Sequence, residues 1–174
     1  MRILGIDPGL GRCGFGLIET SSRAGAKALD FGVITTTVDA ALPSRLLELY
    51  DSLVQIFDET KPKVVAVEKL FFAKNITTGI AVAEARGIVL LVAGQRGVRV
   101  LEYTPNEIKK SLTGYGAATK TQISEMVRVH LGLEKKPKPD DAADALAVAI
   151  TCSFLYNISE EESYKFSNSR KERK

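Results

Sequence analysis

The chain has 174 residues, 45% hydrophobic and 26% charged, with a formal net charge of +3. That length suits one domain with a full-sized core, and the composition is that of an ordinary globular protein. No apolar run is long enough to cross a membrane, and Met1-Arg2-Ile3-Leu4 enters a strand at once, which leaves no room for a signal peptide, so a cytoplasmic protein is expected.

Residues 2–7 read as a short buried strand ended by Asp7-Pro8-Gly9. Residues 13–20 and 27–36 read as two further strands, with Gly9, Gly11, Gly14 and Gly16 suited to a tight turn and close backbone approach. These three strands make an antiparallel meander. Leu46, Leu49, Tyr50, Leu53, Val54 and Phe57 recur at helical spacing and predict an amphipathic helix over Leu42–Thr60, broken by Lys61-Pro62-Lys63. Val64–Glu68 is a second buried strand. Residues 75–96 form a long helix that is apolar around much of its circumference. This predicts burial on two sides, against the sheet and against a second subunit. Val98–Tyr103 is the fifth strand. Thr104-Pro105-Asn106-Glu107 and Thr119-Lys120-Thr121-Gln122 are capping boxes that open two more helices, the second running to about Leu131. A basic linker, Lys135–Pro139, leads into a last helix over Asp140–Tyr156. The expected domain is residues 1–157, followed by a disordered charged tail over 158–174. The order β-β-β-α-β-α-β-α-α-α fits an α/β fold. Its mixed five-stranded sheet has three antiparallel and two parallel strands, flanked by helices.

Charge is uneven. Between Tyr103 and Lys138 lie seven Lys/Arg against three Glu. Such a surface can bind phosphates although the mean charge is mild, and it also suits a solvated helical face. Cys13 and Cys152 sit far apart in apolar settings. They read as buried thiols of a reducing compartment, not a disulfide or a zinc site.

The acids carry the chemistry. Strand alternation puts Ile3, Gly5 and Asp7 on one face of the first strand, and Val64, Ala66 and Glu68 on one face of the fourth. If these strands are parallel neighbours, Asp7 and Glu68 reach the same sheet edge. Asp141 and Asp144 share a helix face. Packing that face over the strand ends gathers four carboxylates, which is costly without cations. Hard oxygen donors favour Mg²⁺ or Mn²⁺. Two ions about 4 Å apart would activate a water and stabilise a leaving 3′ oxygen.

Taken singly, Asp7 also suits a turn and Glu68 a lysine pair. Asp140 or Asp141 suits a helix N-cap, and one of the two is expected to be one. By register, either Asp140 or Asp141 can join Asp144. The one histidine, His130, falls late in a helix and reads as structural. This argues against a histidine-based zinc site and a Ser-His-Asp triad, and no Walker-type loop is present.

Three segments in order, Ile3–Gly9, Val65–Asn75 and Asp141–Ala147, resemble the RuvC family of bacterial Holliday-junction resolvases, which have a ribonuclease-H-like fold. The likeness is collinear over about residues 1–155. The middle segment, Glu68-Lys69-Leu70-Phe71-Phe72-Ala73-Lys74-Asn75, is the most specific. It argues against a YqgF-like relative acting on RNA, and the length argues against an actin-like ATPase or sugar kinase. The resemblance implies a Mg²⁺-dependent homodimeric endonuclease that nicks two symmetric strands of a four-way DNA junction. It implies Asp7, Glu68, Asp141 and Asp144 as catalytic metal ligands, with two Mg²⁺ per site and Mn²⁺ as a substitute. It favours Asp141 over Asp140. It further implies a base-stacking role for Phe71, DNA contacts by Lys74, Lys109 and Lys120, and a RuvA–RuvB assembly as partner.

Overall fold

A computed structural model of the chain describes residues 1–21, 25–69 and 76–156. Five strands and five helices follow the expected order: β1 (Arg2–Asp7), β2 (Arg12–Ser21), β3 (Gly25–Thr35), α1 (Leu42–Thr60), β4 (Val64–Glu68), α2 (Ile76–Gln95), β5 (Arg99–Tyr103), α3 (Pro105–Thr113), α4 (Lys120–His130) and α5 (Asp140–Leu155). The sheet order is β3-β2-β1-β4-β5. β1 and β3 are antiparallel to β2, while β4 is parallel to β1 and to β5. The condition on which the shared acidic edge depended is therefore met.

The sheet divides the core in two by simple alternation. Ile3, Ile18, Val64 and Ala66 face α3, α4 and α5, packing with Ile108, Leu112, Ile123, Val127 and Leu146. Leu4, Ile6, Leu17, Val65 and Val67 face α1 and α2, packing with Leu49, Leu53, Phe57, Ala85, Val89 and Val92. Both thiols are free and buried, as expected, one on each side.

Helix ends follow local chemistry. α1 stops where Lys61 turns left-handed (φ 49°), its N–H donating to the Phe57 carbonyl, with Pro62 next. Both capping boxes form. The Thr104 hydroxyl accepts from the Glu107 N–H, and the Thr119 hydroxyl accepts from the Gln122 N–H; each box also closes in reverse. One expectation fails. Neither Asp140 nor Asp141 is the N-cap of α5; Pro139 is, and it has no side chain able to cap. The Pro139 carbonyl already accepts from the N–H groups of Ala142 and Ala143, so the helix begins one residue early. Both aspartates then stand in the first turn, where negative charge meets free N–H groups.

α5 lies unusually close to the sheet. A Cβ at Gly5 of β1 would run into the Ala145 carbonyl and the Ala149 amide. Gly16, its partner across the ladder, would run into Leu146. These two hydrogens let the Ala-rich helix settle on the strands and fix where its N-terminal turn points. Phe71, Lys74 and the tail over 158–174 lie outside the described residues. No helix among the described residues is long and apolar enough to cross a membrane.

Candidate active site

Asp7 ends β1 and Glu68 ends β4, side by side in parallel register. The apolar residues before each acid fix its position, and the strand ends leave both carboxylates at the same edge. α5 supplies Asp144 from above. A cavity of about 350 Å³ opens there, lined by Asp7, Glu68 and Asp144, by Lys109 and Lys120, and by Pro105, Ile108, Ile123 and Ala147. Three of the four expected acids and two of the expected lysines thus share one cavity. His130 is elsewhere, edge-on to Phe154 with ring centroids 5.3 Å apart.

The fourth acid is close but differently held. The backbone of Asp141 rests on Gly14, and a Cβ at Gly14 would collide with the Asp141 carbonyl. Its carboxylate turns to Arg12: Nε and Nη2 donate to Oδ2 at 2.9 and 2.7 Å. Asp144 is also engaged, with Lys120 Nζ donating to its Oδ2 at 3.1 Å. Arg12, paired with an expected site acid, is a residue that sequence reasoning did not single out. Strand phase puts it on the same face as Gly14 and Gly16, but an arginine opening a strand reads as solvated.

The electrostatics are those of an undercompensated acidic cluster. Burial pushes Asp7 up to about 7, and the charges of Glu68, Asp144 and Asp141 add to this while Lys120 opposes it. Glu68 is raised by burial and by Asp144, against Lys120 and Lys109. Asp144 in turn raises Lys120 by accepting its hydrogen bond. Cys13 lies on the other side of the sheet, and burial pushes its thiol up to about 12, so it is inert as a nucleophile.

This donor set fits a hard divalent cation. The acidic groups in the cavity are carboxylates, and Asp7 keeps its proton to near neutrality because it is buried beside other carboxylates. Among the described residues no three potential ligands already close on one point. Arg12 is paired with Asp141 and Lys120 with Asp144.

Comparisons with known proteins bear on the family and the fold. Residues 3–152 match the family described as Crossover junction endodeoxyribonuclease RuvC. The protein of that name from Thermomicrobium roseum is 49% identical over 157 residues, covering 90% of this chain and 94% of its own. The Thermus thermophilus RuvC structure superposes with a TM-score of 0.85 at 33% identity, covering 91% of this chain and 97% of that one. The structure of T. thermophilus RuvC in complex with Holliday junction substrate gives 0.81 at 32% identity, covering 88% and 94%. With a five-stranded mixed sheet, an acidic edge under α5 and a match along nearly its whole described length, the chain belongs to the RuvC family of crossover junction endodeoxyribonucleases.

Proposed function

We propose that this chain resolves four-way DNA junctions by metal-assisted phosphodiester hydrolysis, with Asp7, Glu68, Asp141 and Asp144 as the metal ligands. The observation that carries the reading is the meeting of Asp7, Glu68 and Asp144 in one cavity whose wall holds Lys109 and Lys120. Mg²⁺ bound there, two ions per subunit with Mn²⁺ as a substitute, supplies an ionised water near neutral pH and positive charge for the leaving 3′ oxygen.

The chain's own groups do the rest. Asp7 and Glu68 lose protons as a cation enters, which their raised affinity for protons resists below neutrality. Lys109 and Lys120 receive the phosphate oxygens. Lys120 does so from the first turn of α4, where free N–H groups add to its pull. Pro105, Ile108, Ile123 and Ala147 form an apolar wall that limits water around the reacting phosphate. The cut leaves a 5′-phosphate and a 3′-hydroxyl.

Two symmetric nicks need two such sites. α2 supports a homodimer: Ala85, Val89, Val92 and Ala93 are spent on the sheet, while Ile80 and Leu91 are about half exposed on another face. Phe71 stacking on a base, Lys74 contacting DNA, and a RuvA–RuvB partner in the cytoplasm belong to the same proposal and rest on the sequence resemblance.

The test is incubation of the protein with labelled four-way junction, linear duplex and RNA hairpin, with and without Mg²⁺. Paired nicks in the junction that need Mg²⁺ are expected. Equal cutting of all three substrates, or cutting that survives chelation, would overturn the proposal.

A further inference from the structure

We infer that Arg12 is a positioning residue for Asp141: it holds this carboxylate at the rim of the cavity and competes for it with the bound cation. The inference rests on the metal site proposed above and adds to it a residue outside the acidic set.

The geometry is built from both sides. β2 begins at Arg12, and alternation puts Arg12, Gly14 and Gly16 on the face that α5 covers. Gly14 is the ladder partner of Asp7, so Arg12 stands beside Asp7 along the same sheet edge. The absence of a side chain at Gly14 lets the Asp141 backbone settle there, within reach of the guanidinium. Nε and Nη2 of Arg12 then converge on one oxygen, Oδ2, at 2.9 and 2.7 Å. Among the described residues the Asp141 carboxylate has no other hydrogen-bond donor, and Asp141 does not line the cavity that Asp7, Glu68 and Asp144 share.

A cation drawing Asp141 inward must therefore take Oδ2 from Arg12 or share its charge. The pair is neither buried nor fully exposed, with Arg12 at 52% and Asp141 at 30% side-chain exposure. Its hold is strong enough to matter and weak enough to be exchanged. Lys120 makes a similar claim on Asp144, but with one nitrogen and from a side chain 80% exposed. Arg12 is the firmer of the two grips.

The test is a Mg²⁺ titration of the full chain without DNA, read by heat and by the shift of the unfolding midpoint. Four proteins are compared: wild type, Arg12→Gln, Asp141→Asn and the double variant. Arg12→Gln is expected to lower the apparent Mg²⁺ Kd about two- to fivefold, the range for losing one partly exposed charge-assisted pair. Asp141→Asn should weaken Mg²⁺ binding. In its background Arg12→Gln should no longer matter, the mark of an effect that passes through Asp141.

An unchanged affinity in Arg12→Gln would overturn the inference. So would an equal gain with and without the Asp141 carboxylate, because that is a general loss of positive charge. Asp141→Asn with wild-type affinity would overturn it too. A wild-type protein that responds to neither Mg²⁺ nor Mn²⁺ would bring down the metal-site reading itself, and this inference with it.

Discussion

Gly14 stands opposite Asp7 in the β1–β2 ladder and directly beneath the backbone carbonyl of Asp141. One missing side chain therefore sets the spacing between a strand acid and a helix acid. Gly14→Ala is expected to push the first turn of α5 off β2. Overpacking of this kind costs about 1–3 kcal/mol. The unfolding midpoint should fall, and Mg²⁺-dependent cleavage should fall with it, by tenfold or more for ~1 Å of misplacement. Gly5→Ala collides with the middle of α5 and is expected to destabilise more. A Gly14→Ala protein with wild-type cleavage would show that the close seat is not needed.

Asp7→Asn is expected to raise stability while abolishing activity. The folded-state value for Asp7 is about 7, above its ordinary 3.8. Between those limits the folded chain holds a proton that the unfolded chain has lost. Stability of the metal-free protein therefore falls as pH rises through this window, and the loss is complete above it. At ~1.4 kcal/mol per pH unit, the displacement from 3.8 to about 7 caps the penalty at about 4 kcal/mol. Glu68 and Asp144 contribute through their own charges, so part of the penalty belongs to the cluster. Denaturant unfolding in chelator should show Asp7→Asn above wild type at pH ~8 and close to it at pH ~4. The same variant should still bind junction DNA. Lost binding, or lower stability at the higher pH, would mean that Asp7 serves the fold.

Ile80 and Leu91 are exposed on α2 while its other face is buried on the sheet. Charge placed there should harm assembly and spare folding. Leu91→Arg is expected to shift the mass in solution from dimer to monomer with an unfolding curve close to that of a monomeric reference. Single nicks should replace paired ones. A dimer that persists in Leu91→Arg and in Ile80→Asp would place the subunit contact elsewhere.

The sequence made the elements legible because their signals are local. Apolar spacing marked α1 at its observed bounds, and Thr104 and Thr119 announced α3 and α4 through boxes that close within four residues. The acidic edge was legible because strand phase is rigid: Asp7 and Glu68 could lie together only if β1 and β4 were parallel neighbours, and they are. What could not be read depends on contacts distant in the chain. Arg12 and Asp141 are 129 residues apart, and no local pattern at either position signals the pair. The Pro139 cap was missed for a different reason. Asp140 and Asp141 suit both a cap and a first turn, and the choice between them is made by where the Pro139 carbonyl finds its donors. The two sides of α2 were read from its composition, but only packing shows that Ala85, Val89, Val92 and Ala93 take the sheet and leave Ile80 and Leu91 outside.

Lys120 pairs with a carboxylate, and this contact can be separated by pH from the phosphate contact proposed for it. Its ammonium donates to Asp144 at 3.1 Å and holds down the proton affinity of Asp7 and Glu68. Lys120→Gln removes that charge. Asp7 and Glu68 should then keep their protons to higher pH, so that Mg²⁺ competes poorly near neutrality. At alkaline pH the acids are ionised in both proteins, and the variant, free of a rival cation, should bind Mg²⁺ at least as tightly. The curves of Mg²⁺ affinity against pH for wild type and Lys120→Gln are therefore expected to cross. Because Lys120 is 80% exposed, solvent screens these effects, and raising inert salt should shrink the gap between the curves. Cleavage should fall by about 10²–10³ at every pH, the range for removing one preorganised charge from a reacting oxyanion. Lost cleavage with superimposable Mg²⁺ curves would confine Lys120 to the phosphate; crossing curves with intact cleavage would confine it to the acids.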